Sequence, residues 1–196
     1  MSQYRTLLPL FEELRGQRVL ARPYRLEDAE ALYEAIEESR DHIRPWLPWA
    51  DESLDDVRDF IAHSMANWLL REDFGLSIWA LESGIFLGGI GFHVRYWELP
   101  YFEIGYWLRK SAQGQGYITE AARLLTDALF EQLRAQRVEI RCNAQNTRSA
   151  AVARRLGFLQ EGHLRHTRQN ADGTPSDTLV FSLIPSDPRR PGHTTS

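Results

Sequence analysis

The sequence predicts a mixed α/β fold, with strands and helices following one another in a single domain of 196 residues. Three observations support this prediction. The centre of the chain is rich in strand-like runs, a strand–loop–helix–strand unit occupies residues 101–142, and 43% apolar with 26% charged residues is ordinary for a globular protein. Chains below about 250 residues rarely need two cores. Residues 1–185 are therefore expected to form one domain and residues 186–196 a flexible tail.

The first third of the chain is expected to hold one strand and two helices. Pro23 closes a run of alternating apolar residues, which is typical of an edge strand. Acidic residues in a first turn and apolar residues at helical spacing indicate the helices. Two prolines block regular helix over Arg44–Trp49, so a loop is expected there. The expected elements are a loosely helical lead-in at 1–16, the strand at 18–24, and helices at 27–36 and 53–71.

The rest of the chain is expected to add six strands and two helices. Glu82-Ser83-Gly84 indicates a hairpin turn. The strongest helix carries an apolar stripe at helical spacing, and Asn146 and Gly157 are suited to cap the last helix at its start and end. The strands are expected at 74–81, 85–95, 101–108, 137–142, 158–168 and 178–184, and the helices at 118–133 and 146–157.

Composition argues against several classes of protein. A net charge of −4 lacks the basic footprint of nucleic-acid binding, although it is compatible with cationic substrates such as amines. No stretch approaches the ~18 apolar residues of a membrane span, and the N-terminus has no apolar signal-peptide region. Cys142 is the one cysteine, so no internal disulfide can form. A reducing cytoplasm is the expected location.

The loop Gln113-Gly114-Gln115-Gly116-Tyr117 lies between a predicted strand and the strongest predicted helix. Its glycines allow a tight turn that points successive N–H groups in one direction. The helix that follows adds unpaired N–H groups and the positive end of its dipole, so the junction is suited to a pyrophosphate. It lacks the lysine of a P-loop and the third glycine of a dinucleotide fingerprint. A connector that binds no ligand is the alternative at this point.

Eight short runs follow one another along the chain. They are Glu38–Arg40, Arg44–Trp49, Gly88–Gly91, Glu103–Leu108, Gln113–Ala121, Asn146–Ser149, Arg155–Phe158 and Glu161-Gly162. Together they resemble the GNAT superfamily of N-acetyltransferases, and within it the Rim-type branch that acetylates ribosomal-protein N-termini. The resemblance covers residues 18–184 in the expected order, which is much harder to produce by chance than one loop.

The resemblance implies the GNAT fold, a twisted, mixed and mostly antiparallel sheet with flanking helices, in which the fourth and fifth strands splay apart. Acetyl-CoA is expected in that V as the co-substrate. The fourth strand would supply backbone groups to the pantetheine, the glycine loop would bind the pyrophosphate, and an asparagine would lie near the pantetheine arm. The expected cofactor-binding residues are Tyr106, Trp107, Leu108, Gln113, Gly114, Gln115, Gly116, Tyr117, Ile118 and Asn146.

Two residues receive catalytic roles through the resemblance. Glu103 matches a strand glutamate that faces the acceptor amine in the family, and is expected to take its proton directly or through water; a solvated or salt-bridged glutamate is the alternative. Ser149 matches a serine that the Rim-type branch is proposed to use near the CoA sulfur, and the alternative is a first-turn residue that supports the Asn146 cap. Two positions depart from the pattern: Ser111 replaces a family Gln or Arg, and Ala153 replaces a tyrosine acid.

Four aromatic residues are expected to bind the acceptor substrate. They are Trp46, Trp49, Tyr96 and Trp97, which lie in predicted loops or at strand ends. Aromatic side chains there could wall a pocket or hold a peptide end. The alternative for each is packing beneath its loop as part of the core.

Cysteine and histidine suggest no further chemistry. Cys142 alternates with charged residues on a predicted strand, which favours buried packing over a nucleophile, since no partnered base is evident. His93, His163 and His166 have no metal-ligand spacing with carboxylates, so no metal is expected.

These observations favour an acetyl-CoA-dependent N-acetyltransferase that acts on a primary amine. The preferred acceptor is the α-amine of a ribosomal or other protein, attacked directly in a ternary complex. A small amine such as a polyamine, an amino acid or an antibiotic is the alternative, and a non-catalytic acyl-CoA-binding module is a third. No nucleic-acid or membrane partner is expected, and a homodimer is expected from the resemblance.

Overall fold

The structure is a computed structural model that describes residues 10–47, 49–170 and 172–187. Within these residues, eight strands form one sheet in the order β1-β2-β3-β4-β5-β6-β8-β7. The strands are β1 (Leu14–Arg15), β2 (Val19–Pro23), β3 (Phe74–Ala80), β4 (Phe86–Tyr96), β5 (Tyr101–Leu108), β6 (Arg137–Asn143), β7 (Leu159–Gln169) and β8 (Pro175–Leu183). The helices are α1 (Ala29–Ile43), α2 (Leu54–Leu70), α3 (Tyr117–Glu131) and α4 (Thr147–Arg155). The mixed α/β prediction is confirmed.

The sheet opens between β5 and β6, the parallel pair in an otherwise antiparallel order. Their pairing begins at Tyr101↔Arg137 and stops at Ile104↔Ile140. Beyond that point β5 continues along β4 to Leu108, whereas β6 continues along β8 to Asn143. The two strands therefore diverge into a V, with the facing edge of each left without a strand partner.

Two clusters of apolar side chains hold this arrangement. The larger one packs the stripe of α3, including Leu125 and Leu129, against β-sheet residues such as Phe102 and Ile104. The smaller one packs α1 and α2 against the sheet, around Tyr24, Ile36, Val57, Ile61 and Phe86. Burying one such side chain contributes roughly 1.5–3 kcal/mol, so both clusters stabilise the sheet in which the V opens.

The sequence prediction is wrong for the N-terminal lead-in and underestimates the length of one helix. Residues 14–15 form a short strand paired with β2 instead of the helical turn expected at 1–16, and residues 1–9 lie outside the described residues. The helix expected at 27–36 runs on to Ile43. The strand at 101–108 is confirmed to the residue, and the fourth and fifth predicted strands are β5 and β6.

Two further features bear on location and organisation. Among the described residues, no helix has the length and apolar character that crossing a bilayer requires. The boundary at residue 185 stays a prediction, since most of the expected tail lies outside the described residues.

Candidate active site

A cleft of about 1660 Å³ occupies the V between β5 and β6. One wall is the end of β5 from Glu103 to Leu108, and the other is Ile140–Asn143 of β6 with the start of α4. The glycine loop and the first turn of α3 close one end. Trp46, His93 and Arg141 lie around the rest. Nearly all polar groups that the sequence singled out therefore meet in one place.

The glycine loop has the geometry of an anion site. Gly114 and Gly116 have φ values of 73° and 83°, in the left-handed region that favours glycine. Gly116 is the N-cap of α3, a helix of 15 residues, so the first N–H groups of that helix have no acceptor within it. The predicted loop is thus a helix N-terminus reached through two left-handed glycines.

A partly buried ion pair fixes the segment that leads into this loop. Arg109 is 9% exposed, and its Nε donates to Glu38 Oε2 at 2.8 Å. Glu38 Oε1 accepts from the Ser111 N–H at 2.7 Å, and Ser39 Oγ accepts from the Lys110 N–H at 2.9 Å. Burial alone would raise the pKa of Glu38, but the Arg109 and Ser111 hydrogen bonds lower it to about 2. Helix α1 therefore positions the loop through its own acidic and hydroxyl side chains.

Cationic side chains surround the same end of the cleft. Arg148 of α4 donates to Gln113 Oε1 at 2.6 Å, and Arg18 donates to the Gln115 carbonyl at 2.8 Å. The Arg18 guanidinium also lies 5.1 Å from the centre of the Tyr117 ring. Gln113, Gly114, Gly116 and Ile118 line the cleft directly, whereas Gln115 and Tyr117 hold the loop from outside. The positive charge favours a phosphate-bearing ligand.

The end of β5 presents a free backbone edge to the cleft. Residues from Gly105 to Leu108 pair with β4 on one side only. The Trp107 ring turns away and packs against Trp49 and Phe86, with ring centres 5.4 and 6.1 Å away. The N–H and C=O groups on the other edge are therefore available to a ligand that binds as an extra strand.

Two hydroxyl groups in the cleft, from Tyr106 on β5 and Ser149 on α4, form a hydrogen-bonded pair. Ser149 Oγ lies 3.2 Å from the Tyr106 hydroxyl, which in turn donates to the Ser149 carbonyl at 3.1 Å. Asn146 caps α4, because its side chain accepts from the Ser149 N–H at 3.0 Å. Burial raises the pKa of Tyr106 well above its ordinary value, so the phenol keeps its proton. The pair is thus two hydrogen-bonded hydroxyl groups on the cleft wall.

Cys142 is the nearby thiol, and it is 4% exposed. Burial raises the pKa of the Cys142 thiol, with a hydrogen bond from Ser149 as a weaker opposing effect. A thiol that resists ionisation is a poor nucleophile. The structure therefore agrees with a packing role for Cys142.

Glu103 lies at the mouth of the cleft in a row of charges. Its Oε2 accepts from Arg95 Nε at 3.1 Å and lies 3.5 Å from Arg141 Nε. The Glu103 side chain is 12% exposed, against 44% for Arg95. Glu139 lies beside Glu103 across the parallel pair, and Arg141 also binds it. The predicted base is thus a salt-bridged carboxylate that lines the cleft.

An imidazole faces Glu103 from the neighbouring strand. His93 of β4 is the direct cross-strand partner of Glu103, and it also lines the cleft. Its Nδ1 lies 2.6 Å from Asp73 Oδ1. The Asp73 carboxylate raises the pKa of His93, although partial burial opposes this.

The four predicted acceptor aromatics separate into two groups. Trp46 lines the cleft, and Trp49 supports it by packing on Trp107. Trp97 packs on Phe74 and Phe102, and Tyr96 is 61% exposed beside a separate hollow of about 320 Å³. Tyr96 and Trp97 lie outside the cleft, and their substrate roles stay predictions.

Sequence reasoning missed three groups at this site. The Tyr106 side chain was assigned only a backbone role, yet its position two residues after Ile104 places it on the face toward α4. His93 and Asp73 lie in different elements, and nothing in the sequence pairs them.

Among the described residues, no cluster of three or more His, Cys, Asp or Glu side chains is placed to hold a metal ion.

Comparison with known proteins agrees with this geometry. Residues 18–159 match the family described as "Acetyltransferase (GNAT) domain". The chain belongs to the GNAT acetyltransferase family. YdaF of Bacillus subtilis, a candidate ribosomal N-acetyltransferase, is 34% identical over 164 residues, which cover 81% of this chain and 86% of YdaF.

Two solved structures share the fold of this GNAT protein. RimL, a ribosomal L7/L12 alpha-N-protein acetyltransferase in complex with coenzyme A, gives a TM-score of 0.82 at 21% identity, covering 88% of this chain and 98% of RimL. MccE, a microcin C7 self-immunity acetyltransferase in complex with acetyl-CoA and AMP, gives 0.81 at 25% identity, covering 86% and 93%. Structures of the family thus hold CoA or acetyl-CoA as co-substrate, and this GNAT chain is an N-acetyltransferase.

Proposed function

We propose that this GNAT protein binds acetyl-CoA along the free edge of β5 and transfers the acetyl group to the α-amine of a protein or peptide. The observation that carries the proposal is the separation of β5 from β6 after Ile104. It leaves one wall with free backbone groups, and it places the Tyr106–Ser149 hydroxyl pair and Glu103 on either side of the same opening.

The donor half follows from the backbone. The pantetheine pairs with Tyr106, Trp107 and Leu108, and the pyrophosphate binds the loop from Gln113 to Ile118. Asn146 lies at the wall next to the pantetheine arm. Left-handed glycines and a helix N-terminus supply N–H donors with no side chain in the way.

The acceptor half supports an amine. Glu103 offers a carboxylate to an incoming ammonium. A Cβ added to Gly105, two residues along the same strand, would meet no atom within 4 Å, so there is open space next to Gly105. Trp46 lies on the wall of the same opening. The names of YdaF and RimL, which refer to ribosomal proteins, favour a protein N-terminus over other amines.

Transfer proceeds by direct attack in a ternary complex. Glu103 takes one proton from the ammonium, directly or through water, and the neutral nitrogen attacks the thioester carbonyl. As the C–S bond breaks, the hydroxyl pair of Ser149 and Tyr106 supplies a proton to the sulfur and regains one from the second proton of the nitrogen. No acyl-cysteine forms, because Cys142 is buried and its pKa is raised.

A small-molecule amine is the second candidate acceptor. The observation in its favour is the similarity to MccE, whose structure contains AMP beside acetyl-CoA. A cleft of about 1660 Å³ has room for a nucleotide-sized acceptor as well as a peptide end. A module that binds acyl-CoA without turnover is the third possibility.

A thiol-release assay separates these possibilities. Purified protein is given acetyl-CoA with peptides bearing a free α-amine, the same peptides with the α-amine blocked, and a panel of polyamines, amino acids and amine antibiotics. We expect CoA release and a mass gain of one acetyl group with the free peptides alone. Turnover of small amines alone would contradict the peptide assignment, and binding without any release would support the non-catalytic module.

Two further expectations accompany this function. We propose a cytoplasmic location, where acetyl-CoA and nascent proteins meet, and a homodimer. Light scattering on the purified protein measures the second directly, and a mass of one chain at micromolar concentration would contradict it.

A further inference from the structure

The cleft contains an imidazole that the proposed reaction has not yet used. His93 lines the cleft and is the direct antiparallel partner of Glu103. Residues directly opposite in an antiparallel pair have Cβ atoms about 4.5–5.5 Å apart. We propose that His93, oriented by Asp73, accepts from Glu103 the proton that the attacking amine loses and then releases it to water. This inference rests on the proposed function and adds a residue to it.

Asp73 determines which ring nitrogen of His93 can accept a proton. Its Oδ1 is buried, makes no hydrogen bond of regular geometry, and lies 2.6 Å from His93 Nδ1. A buried carboxylate oxygen without a donor is costly, so the stable arrangement has the proton on Nδ1. The lone pair is then on Nε2, which is the nitrogen left for the cleft. A carboxylate behind an imidazole holds its tautomer and stabilises the imidazolium.

The arginine contacts of Glu103 fall on one of its two oxygens. Its Oε2 accepts from Arg95 and is close to Arg141, so Oε1 is the oxygen that would receive the ammonium proton. The residue directly opposite Glu103 on the neighbouring strand is His93, which also lines the cleft. A neutral His93 ring can therefore take the proton from Glu103.

The charges around His93 favour the imidazolium. Asp73, in the turn before β3, and Glu103, on β5, both raise the pKa of His93, while Arg95 on its own strand and partial burial lower it. The outcome is a raised pKa, with the hydrogen bond to Asp73 as the largest cause. His93 is thus a stronger base than a free imidazole, and its side chain is 55% exposed, which allows the proton to leave to solvent.

The proton balance closes without another reactant. The ammonium loses one proton through Glu103 to His93, and the N–C bond forms. The second proton of the nitrogen goes with the electron pair of the broken C–S bond to give the CoA thiol. His93 then releases its proton to water, so each turnover yields one N-acetyl product, one CoA and one proton.

A second imidazole–carboxylate pair in the chain supplies a matched control. His163 Nε2 lies 2.7 Å from Asp177 Oδ2, and the His163 side chain is 52% exposed, close to the value for His93. It lies on β7 and does not line the cleft. The His163 pair therefore matches the His93 pair in residue types and exposure but lies outside the cleft.

The experiment compares His93→Gln and His163→Gln with the parent protein. We expect His93→Gln to lower kcat with a peptide acceptor about 100-fold at neutral pH, with unchanged acetyl-CoA affinity and unfolding temperature. His163→Gln should stay within twofold of the parent. Added imidazole should restore part of the activity of His93→Gly, and no such rescue is expected for a residue whose role is only structural.

An NMR titration of the histidine rings provides a readout that does not depend on turnover. We expect the pKa of His93 to be above the ordinary ~6.5 and to fall in Asp73→Asn, with the acidic limb of the kcat profile moving to lower pH in step. A His93→Gln protein with the parent's kcat and pH profile would overturn the proposal while leaving acetyl transfer intact. If the parent protein itself transfers no acetyl group to any amine, the proposed function has failed instead.

Discussion

The two halves of the cleft are lined by different kinds of chemical group. The half proposed to bind the donor consists of backbone groups: the free edge of β5, two left-handed glycines and the N-terminus of α3. The half proposed to bind the acceptor consists of charged side chains from three strands, in which Glu103 contacts both Arg95 and Arg141. A backbone site tolerates many side-chain replacements and binds one kind of ligand. A side-chain site can change its ligand with a few substitutions, which is why one donor can serve enzymes with many acceptors.

The largest expected effect comes from the glycine loop. Gly116→Val places a β-branched side chain at φ 83°, with its Cβ about 3.2 Å from the Arg18 guanidinium. We expect the Kd of acetyl-CoA, measured by calorimetry, to rise at least about 100-fold because the N–H groups lose their alignment. Gly173→Val is the control, since Gly173 has φ 84° in a hairpin outside the cleft. An equal loss in both variants would show that strain, and not the loop, weakens binding.

The hydroxyl pair should affect turnover and not donor binding. A CoA thiolate is a good leaving group, so an acid should help less than the ~10²-fold typical of general acids. We expect Ser149→Ala and Tyr106→Phe each to lower kcat about 30-fold, with the Kd of acetyl-CoA unchanged. The double variant should be little worse than either single one, because the two hydroxyls act as one unit. Independent, multiplying losses would mean that they act separately.

The acceptor half is tested by its aromatic residues. Trp46→Ala removes a cleft wall, so the KM of the peptide should rise about tenfold, or ~1.4 kcal/mol, while the KM of acetyl-CoA stays the same. Tyr96→Ala removes an aromatic ring outside the cleft and should change neither. A comparable rise in Tyr96→Ala would extend the acceptor site over the turn between β4 and β5.

The smallest effect is expected at the rim of the donor half. Arg148 binds Gln113 at the surface and adds positive charge near the loop. Exposed charge contacts contribute about 0.2–1 kcal/mol, so Arg148→Gln should weaken acetyl-CoA binding about threefold. The slope of affinity against salt concentration should also decrease. A tenfold or larger loss would mean that side-chain charge, and not backbone, dominates donor binding.

The same division explains how much the sequence could predict. The elements around the proposed donor site were predicted in place, because glycines, a helix start and an alternating strand leave local patterns, and the strand at 101–108 is confirmed to its ends. The strand Leu14–Arg15 was missed because two residues carry no periodicity and form a strand only by pairing with β2. A salt bridge at Glu103 was weighed as the alternative, but its partners were not named, for a related reason. They depend on the register between three strands, which local sequence does not encode.

The central claim is that donor and acceptor meet in the V between β5 and β6. A bisubstrate conjugate, in which an acetyl bridge joins the CoA sulfur to the α-amine of a peptide, tests it most directly. We predict that its Kd is at least about 100-fold below that of CoA and that it inhibits competitively against both acetyl-CoA and the peptide. A conjugate that binds no more tightly than CoA, or that leaves peptide binding unaffected, would contradict the account.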